Sequence, residues 1–439
     1  MRTSDSISDT DHEETSFTKS SGWKIRSSKL ARNTHNRIRE IVESLKIEPN
    51  PEKPMIPLSI GDPTIFGNLE ASVETINAVK CAIESGKYNG YAHTAGHEEA
   101  RKAIVEYVAH QGPVTPNDII ICSGCSSALE ICILTLADEG QNILVPRPGF
   151  CLYNTLCEGL GIEVRYYNLL PEKEWEADLE QMESLIDNNT ASILINNPSN
   201  PCGSVFSKTH LQKILKLAGK YYLPIIADEI YEHFVFTGSK HIAISSLSKD
   251  VPILSCGGLT KRFLVPGWRT GWIVIHDRDN RLSDITKGLK QMAARILGSN
   301  TLVQGALPDI LRNTPQSYFD GVLDILSQNA KSAYDALKDV AGLKPILPRG
   351  AMYMMVGIDI ASFPSFPNDL EFVQDLVNEQ SVFCLPGSCF EYPNYFRIVL
   401  TVPYEMIEEA CSRISEFCEK HYKNDENLIK CDFLQPVSS

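Results

Sequence analysis

One lysine in this chain occupies a position suited to covalent catalysis. Lys261 follows the apolar run 252–254 and the two glycines Gly257 and Gly258, so it lies in a loosened loop after a predicted buried strand. An amine in such a setting can attack an aldehyde and form a Schiff base. Taken alone, Lys261 and the adjacent Arg262 are better explained as a pair of solvated charges.

A carboxylate and a phenol follow another apolar run. Asp228 comes directly after the run 223–227, where a carboxylate is unfavourable unless a cation or a hydrogen-bond donor pairs with it. Tyr231 comes three residues later, which is near enough to act in the same site. The ordinary alternative for Asp228 is the cap of a helix.

Two further segments supply groups for an anion, and a third adds an amide. The turn Ser123–Ser126 opens a predicted helix, whose free N–H groups and positive dipole end favour phosphate. Arg269, eight residues after the lysine, can clamp a phosphate with its planar guanidinium. Asn200 follows the apolar run 192–195. With the lysine, the carboxylate and the phenol, these groups are what pyridoxal phosphate requires: an aldehyde partner, an acid for the ring nitrogen and a phosphate anchor.

Short apolar runs that alternate with amphipathic stretches would position these side chains. Strands are predicted over 118–122, 142–145, 163–167, 192–195, 223–227, 253–254 and 272–275, with helices over 127–136, 151–160 and 210–221. This alternation is typical of the α/β class, with a mostly parallel sheet covered by helices on both faces. Ligands bind such sheets at the carboxyl ends of the strands, where the polar segments described above lie.

The pattern changes near residue 315, which predicts a second, smaller α+β domain. A long helix over 318–340 precedes strands over 351–358, 381–385 and 396–401 and a final helix over 404–422. We predict a disordered acidic tail (1–22), a proline-rich strap that contributes to the small domain (23–70), a large domain (71–315), a small domain (316–425) and a tail (426–439). A chain of 439 residues can form two such cores.

Composition and motifs exclude several classes of protein. The formal net charge of −14 argues against a nucleic-acid binder, and no apolar run approaches the length of a membrane span. The dinucleotide fingerprint, the P-loop and the serine-hydrolase motif are absent from the sequence. Thirteen scattered cysteines without a secretion signal predict reduced thiols in a cytoplasmic protein. The pairs Cys122 with Cys125 and His93 with His97 could each contribute to a metal site, but the sequence offers no further ligands to complete one, so we predict no bound metal. A redox role for the cysteine pair is the minor alternative.

Longer strings of residues carry a family likeness. In chain order they are 59–64 (SIGDPT), 86–91 (GKYNGY), 144–150 (LVPRPGF), 196–204 (NNPSNPCGS), 227–231 (ADEIY), 255–272 (SCGGLTKRFLVPGWRTGW), 350–353 (GAMY) and 396–397 (FR). On these strings the chain resembles the fold-type I pyridoxal-phosphate aminotransferases, and within that family the enzymes that act on tyrosine. The likeness extends from about residue 23 to residue 422.

The resemblance implies a role for each predicted site residue. Lys261 would bind the cofactor as a Schiff base and act as general base, Asp228 would pair with the ring nitrogen, and Arg397 would grip the substrate α-carboxylate. Assisting residues would be Asn200 and Tyr231 at the ring hydroxyl, Phe150 on the ring face, Gly124, Cys125, Ser126 and Arg269 at the phosphate, and Asn200 with Gly61 beside the α-carboxylate. Tyr91 would reach the phosphate from a second subunit, which implies a homodimer with shared active sites.

One position departs from the family pattern. Many relatives have a phosphate-binding serine three residues before the lysine, where this chain has Gly258. Ser255 and Thr260 are the candidates to replace it. The motifs do not identify the pocket for the substrate side chain, and the strap residues 34–37 and 65–66 are its candidate wall.

The likeness implies amino-group transfer from L-tyrosine to 2-oxoglutarate, which belongs to tyrosine and phenylalanine catabolism. The partners would be small amino acids and 2-oxo acids, with no nucleic acid or membrane involved. Two alternatives stay open. A carbon–sulfur or ring-forming lyase on the same cofactor would release ammonia and pyruvate, and a non-catalytic relative would show no visible absorption band that responds to amino acids.

Overall fold

A computed structural model describes residue 23 and residues 25–423 of the chain. The predicted tails at 1–22 and 426–439 lie outside the described residues. Within the described part, no helix combines the length and the apolar character needed to cross a membrane.

Strands and helices alternate along the chain as the sequence pattern predicts. The strands are β1 (Ile56–Pro57), β2 (Ile119–Cys122), β3 (Asn142–Arg147), β4 (Glu163–Leu170), β5 (Glu176–Ala177), β6 (Thr190–Asn196), β7 (Ile225–Asp228), β8 (Ile253–Gly258), β9 (Gly271–His276), β10 (Leu343–Pro345), β11 (Tyr353–Ile358), β12 (Val382–Phe383), β13 (Leu385–Pro386) and β14 (Tyr395–Val399). The helices are α1 (Lys29–Asn33), α2 (Arg37–Ser44), α3 (Val73–Glu84), α4 (Glu98–Tyr107), α5 (Cys125–Leu136), α6 (Leu152–Glu158), α7 (Leu179–Ser184), α8 (Lys208–Lys220), α9 (Ile244–Leu247), α10 (Ser283–Ala293), α11 (Thr301–Asn313), α12 (Gln316–Leu337), α13 (Asp369–Gln380) and α14 (Tyr404–His421).

The large sheet has eight strands in the order β2-β9-β8-β7-β6-β3-β4-β5. Most neighbours run parallel, while β9 is antiparallel to β2 and β8, and β5 is antiparallel to β4. The predicted α/β class with a mostly parallel sheet is therefore confirmed. The register aligns Asn196 of β6, Asp228 of β7 and Cys256 of β8, so the carboxyl ends of these three strands lie side by side.

A smaller sheet follows in the last third of the chain, as predicted. Its order is β10-β11-β14-β13, with antiparallel neighbours throughout. Phe372 of α13, Phe396 of β14 and Phe417 of α14 are fully buried in its core, and the ring centroid of Phe372 lies 6.2 Å from that of Phe396 and 5.2 Å from that of Phe417. The segment before residue 70 is tied to this part of the chain, because β1 pairs in parallel with β12.

Local differences from the prediction have simple causes. The predicted strand 381–385 is divided into β12 and β13, and strand β11 begins at Tyr353 rather than at residue 351. Helix α2 lies in the proline-rich strap, where no helix is predicted from the sequence. Its apolar residues Ile38, Ile41 and Val42 do follow helical spacing, but the helix has only eight residues, which is too short for a helix to be assigned from the pattern in a segment with several prolines.

Candidate active site

A cavity of about 790 Å³ lies at the carboxyl ends of the central strands of the large sheet, between them, the strap and the small sheet. All predicted site residues except Gly124 and Tyr91 line it. Those lining residues are Gly61, Cys125, Ser126, Phe150, Asn200, Asp228, Tyr231, Lys261, Arg269 and Arg397. Residues that lie up to 336 positions apart therefore surround one space.

Lys261 points into this cavity from the loop that follows β8. Its Nζ donates a hydrogen bond of 2.8 Å to the carbonyl oxygen of Gly61 and lies 5.9 Å from the ring centroid of Tyr231. The carbonyl of Gly61 thus holds the amine, a contact that the sequence does not predict. The geometry leaves the amine partly buried beside the phenol.

Asp228 ends β7 and is held by donors from three directions. The hydroxyl of Tyr153 donates to Oδ2 over 2.7 Å, while the main-chain N–H of Ile230 and the thiol of Cys125 contact Oδ1 at 3.3 and 3.8 Å. Burial raises the pKa of Asp228, and these donors together with the cation of Lys261 oppose that rise. A protonated ring nitrogen would complete the pairing that this buried carboxylate needs.

The start of α5 forms a cradle for an anion. Gly124 precedes the helix with φ of 82°, and the first N–H groups of a helix, here those of Cys125 and Ser126, have no partner within the helix. The guanidinium of Arg269 lies across this end, and a Cβ atom on Gly124 would be 2.6 Å from Arg269 Nη2. A glycine at this position therefore lets the arginine and the helix end face the same space, as a phosphate requires.

Position 258 has no room for the serine that is common in the family. A Cβ atom on Gly258 would lie 2.7 Å from the carbonyl oxygen of Thr270 and 2.9 Å from Cα of Gly271. Of the two candidates to replace that serine, Thr260 lines the cavity and Ser255 does not.

Arg397 of β14 is a buried cation whose hydrogen bonds are incomplete. Nη1 donates to Oδ1 of Asn200 over 3.0 Å and Nη2 to the carbonyl of Ser59 over 2.8 Å, while buried Nε has no partner. The guanidinium carbon is 4.3 Å from the ring centroid of Tyr353 and 4.9 Å from that of Phe390. Burial lowers the pKa of Arg397, so a carboxylate that neutralises its charge would be bound favourably.

The sequence indicates no role for two tyrosines of the site. Tyr153 has no motif around it, since it lies in the first turn of α6. Tyr353 belongs to the string GAMY, and its hydroxyl lies 2.9 Å from that of Tyr231. It also explains Gly61, because a Cβ atom there would be 2.8 Å from the Tyr353 hydroxyl.

The lining of the cavity differs in part from the wall predicted for the substrate side chain. Of the strap residues named in advance, Asn36 lines the cavity, whereas Ile65 and Phe66 do not. Phe66 packs against the core of the small sheet, and Ile65 is 48% exposed. On this side the cavity is lined by α2 and the β12–β13 region, through Ile38, Arg39, Val42, Glu43, Phe383 and Leu385.

Tyr91 is placed away from the cavity of its own chain. Its side chain is 89% exposed, and it does not line the cavity. The exposure is unusual for a large aromatic residue and leaves its ring available to another molecule.

Comparison with known proteins gives one consistent result. Residues 53–414 match the family described as Aminotransferase class I and II. Tyrosine aminotransferases from Mus musculus and Homo sapiens are 55% and 56% identical to this chain over 413 residues, which is 93% of this chain and 91% of each relative. The crystal structure of tyrosine aminotransferase from Leishmania infantum superposes with a TM-score of 0.89 at 33% identity, covering 92% of this chain and 100% of that chain.

Proposed function

Because the chain belongs to the class I and II aminotransferases and is therefore a pyridoxal-phosphate-dependent transaminase, we propose that it transfers the amino group of L-tyrosine to 2-oxoglutarate. The products would be 4-hydroxyphenylpyruvate and L-glutamate. The observation that carries this proposal is the make-up of the cavity. The cavity contains the buried Arg397, which is suited to the α-carboxylate that both substrates share. Its wall has apolar side chains and also the cation of Arg39.

The described residues fit pyridoxal phosphate at each of its functional groups. Asp228 would pair with the ring nitrogen, the start of α5 with Arg269 would hold the phosphate, and the amine of Lys261 would bind the aldehyde. When bound, the cofactor supplies an electron sink that makes the α-proton of an amino acid acidic. Phe150, which lines the cavity, would cover the ring face.

The protein's own groups would orient the substrate and move one proton. Arg397, with Asn200 at its side, binds the α-carboxylate and so fixes the α-carbon. The amine of Lys261, once free, would take the α-proton at Nζ and return it on the cofactor side, as a general base and acid. The Gly61 carbonyl, 2.8 Å from Nζ, would keep the amine on that path.

A single wall must accept an aromatic ring and an acidic side chain in turn. Ile38, Val42, Phe383 and Leu385 offer an apolar surface for the ring of tyrosine. Arg39 of α2 is paired only loosely with Glu43, at 3.5 Å, and both side chains are more than 70% exposed. Such an exposed pair is weak, so the distal carboxylate of 2-oxoglutarate can replace Glu43 at little cost.

The proposal includes a homodimer that works in the cytoplasm. An exposed Tyr91 outside its own cavity supports a dimer, because the role implied for it requires a second chain. The cysteines of the described part are free thiols, and most are buried, which supports a reducing compartment. Light scattering of the purified protein should give the mass of two chains, and Tyr91→Phe should bind the cofactor more weakly while remaining dimeric.

The decisive experiment is an assay of the purified protein with a panel of amino donors and 2-oxoglutarate. We expect glutamate to form, with kcat/KM for tyrosine roughly tenfold or more above that for alanine. Ammonia and pyruvate without glutamate would support the lyase alternative instead. A visible absorption band that fails to change when amino acids are added would support the non-catalytic one.

A further inference from the structure

Two histidines and a glutamate converge at a place outside the active-site cavity. Nε2 of His110 lies 2.9 Å from Oε2 of Glu232, and Nε2 of His233 lies 3.1 Å from Oε1 of the same carboxylate. One ligand-type atom from each of the three residues lies within 4.8 Å of the others. None of the three lines the cavity. The sequence does not indicate this cluster, because His110 and Glu232 are 122 positions apart.

His233 brings to this cluster a buried nitrogen whose hydrogen bonding is poorly satisfied. Its Nε2 atom is buried and, although Glu232 Oε1 is 3.1 Å away, it makes no hydrogen bond of acceptable geometry. A buried polar atom that is poorly satisfied is uncommon and is consistent with a ligand at this place. The ring nitrogen of His110 faces the same carboxylate, so the two imidazoles approach one point from different elements.

We propose that His110, Glu232 and His233 bind a divalent transition-metal ion, with Zn²⁺ as the preferred one. Two imidazoles and one carboxylate form a donor set that zinc uses in many proteins. With metal–ligand bonds of about 2.0–2.1 Å in a tetrahedron, neighbouring ligand atoms lie about 3.3 Å apart. The contacts of 2.9 and 3.1 Å, which join the imidazoles to different oxygens of Glu232, are close to that spacing, and all three ligand atoms lie within 4.8 Å of one another, so side-chain rotation would bring them to one ion.

The surroundings support the ligands and give the ion access. Nε2 of Gln111 donates to Oε2 of Glu232 over 3.0 Å, and the main chain of Tyr107 hydrogen-bonds the ring of His110. Such contacts behind the ligands fix their orientation. The side chain of His110 is 41% exposed, which provides an entry path and room for a water molecule as fourth ligand.

A neighbouring cation limits the expected affinity. Nη1 of Arg262 donates to the hydroxyl of Tyr107 over 2.9 Å, so its positive charge lies near the cluster. The carboxylate of Glu232 neutralises one of the two positive charges of the ion, and the guanidinium of Arg262 repels the charge that remains. We therefore expect a dissociation constant in the micromolar range, weaker than that of structural zinc sites.

The ion would link two parts of the fold that lie far apart in the sequence. His110 lies in the turn Ala109–Gln111 that follows α4, whereas Glu232 and His233 follow the segment that carries Asp228 and Tyr231. Binding to the folded state alone raises the stability of the protein by mass action. Zinc should therefore raise the melting temperature of the cofactor-loaded enzyme.

Equilibrium dialysis of the full-length, cofactor-loaded protein against Zn²⁺ tests the proposal. The wild type should bind one more ion per chain than His110→Gln, and zinc should raise the melting temperature of the wild type but not of the variant. His35→Gln is the matched control, because His35 contacts Glu40 at 2.9 Å on the surface without a second histidine. It should bind zinc and respond to it as the wild type does.

Two results would overturn the proposal: equal zinc binding by the wild type and His110→Gln, or an equal loss in His35→Gln. The near-ultraviolet circular dichroism and the cofactor absorption of His110→Gln report whether it folds. If it does not fold, His233→Gln takes its place. Anomalous scattering at the zinc edge from crystals soaked in Zn²⁺ gives an independent answer. A peak between His110, Glu232 and His233 supports the site, and a peak elsewhere or none contradicts it.

Discussion

The hydroxyl of Tyr153 donates a hydrogen bond of 2.7 Å to Oδ2 of Asp228, and both side chains are buried. Burial raises the pKa of Asp228, whereas this bond favours the anion. The phenol therefore helps to keep ionised the carboxylate that would face the ring nitrogen of the cofactor.

Removing this hydroxyl should change the pH dependence of the reaction. In Tyr153→Phe the pKa of Asp228 rises further, so the carboxylate becomes protonated at a higher pH than in the wild type. Because the ionised form is needed, the acid limb of the kcat/KM profile should move to higher pH, and activity at neutral pH should fall about tenfold. Tyr167→Phe is the matched control, since Tyr167 is buried and its hydroxyl donates to the Leu194 carbonyl over 2.9 Å. Identical profiles for the two variants would contradict the role of Tyr153.

Replacing the lysine should separate covalent from non-covalent binding of the cofactor. Lys261→Ala should lose transfer activity, because no amine remains to move the α-proton, yet Asp228 and Arg269 should still retain the cofactor. In the wild type, borohydride should attach the cofactor irreversibly to the peptide that contains residue 261, as peptide mapping by mass spectrometry would detect. Attachment to a different lysine, or near-normal turnover in the variant, would refute this assignment.

Shortening the buried guanidinium should weaken both substrates alike. Arg397→Lys cannot keep the two hydrogen bonds to Asn200 and Ser59 and also grip a carboxylate. KM for tyrosine and KM for 2-oxoglutarate should each rise by about 10- to 100-fold, since both carry the α-carboxylate. Arg413→Lys offers a comparison, because Arg413 is also buried but bonds the Pro54 and Gln380 carbonyls instead. A rise for one substrate only would argue against the α-carboxylate as the ligand of Arg397.

The sequence predicts the central groups of the site because each has a local signal. Asp228 ends an apolar strand and Lys261 follows another, and the rule that ligands bind at the carboxyl ends of parallel strands brings the two together. The fold class follows from the same alternation of strands and helices. The roles given to the individual residues stay predictions until variants are measured.

Other features depend on contacts that no local pattern records. Tyr153 contacts Asp228 only because α6 packs close to the end of β7. The antiparallel direction of β9 cannot be recognised from its apolar sequence. Ile65 and Phe66 do not line the cavity as predicted, because Phe66 packs against the core of the small sheet and the short helix α2 lies at that side of the cavity instead. The pairing of His110 with Glu232 likewise arises from tertiary structure alone.

The wall residue Arg39 should distinguish the two substrates. In Arg39→Gln, KM for 2-oxoglutarate should rise about tenfold, since one hydrogen-bonded charge contact is lost, whereas KM for tyrosine should change little. Arg37→Gln is the control on the same helix, because Arg37 pairs with Glu391 at 3.4 Å and does not line the cavity. Equal changes for both substrates would mean that Arg39 acts on the shape of the cavity rather than on the distal carboxylate.

Restoring the serine that is common in the family should damage this protein. In Gly258→Ser the new Cβ atom would lie 2.7 Å from the Thr270 carbonyl oxygen, so strands β8 and β9 must separate. We expect a loss of about 1–3 kcal/mol in the free energy of unfolding, measured by urea titration, and weaker retention of the cofactor. Gly267→Ser is the matched control, because no atom lies within 4 Å of a Cβ atom built there, and it should leave both quantities unchanged. A Gly258→Ser variant as stable as the wild type and with tighter cofactor binding would show that the strands yield and that the hydroxyl reaches the phosphate.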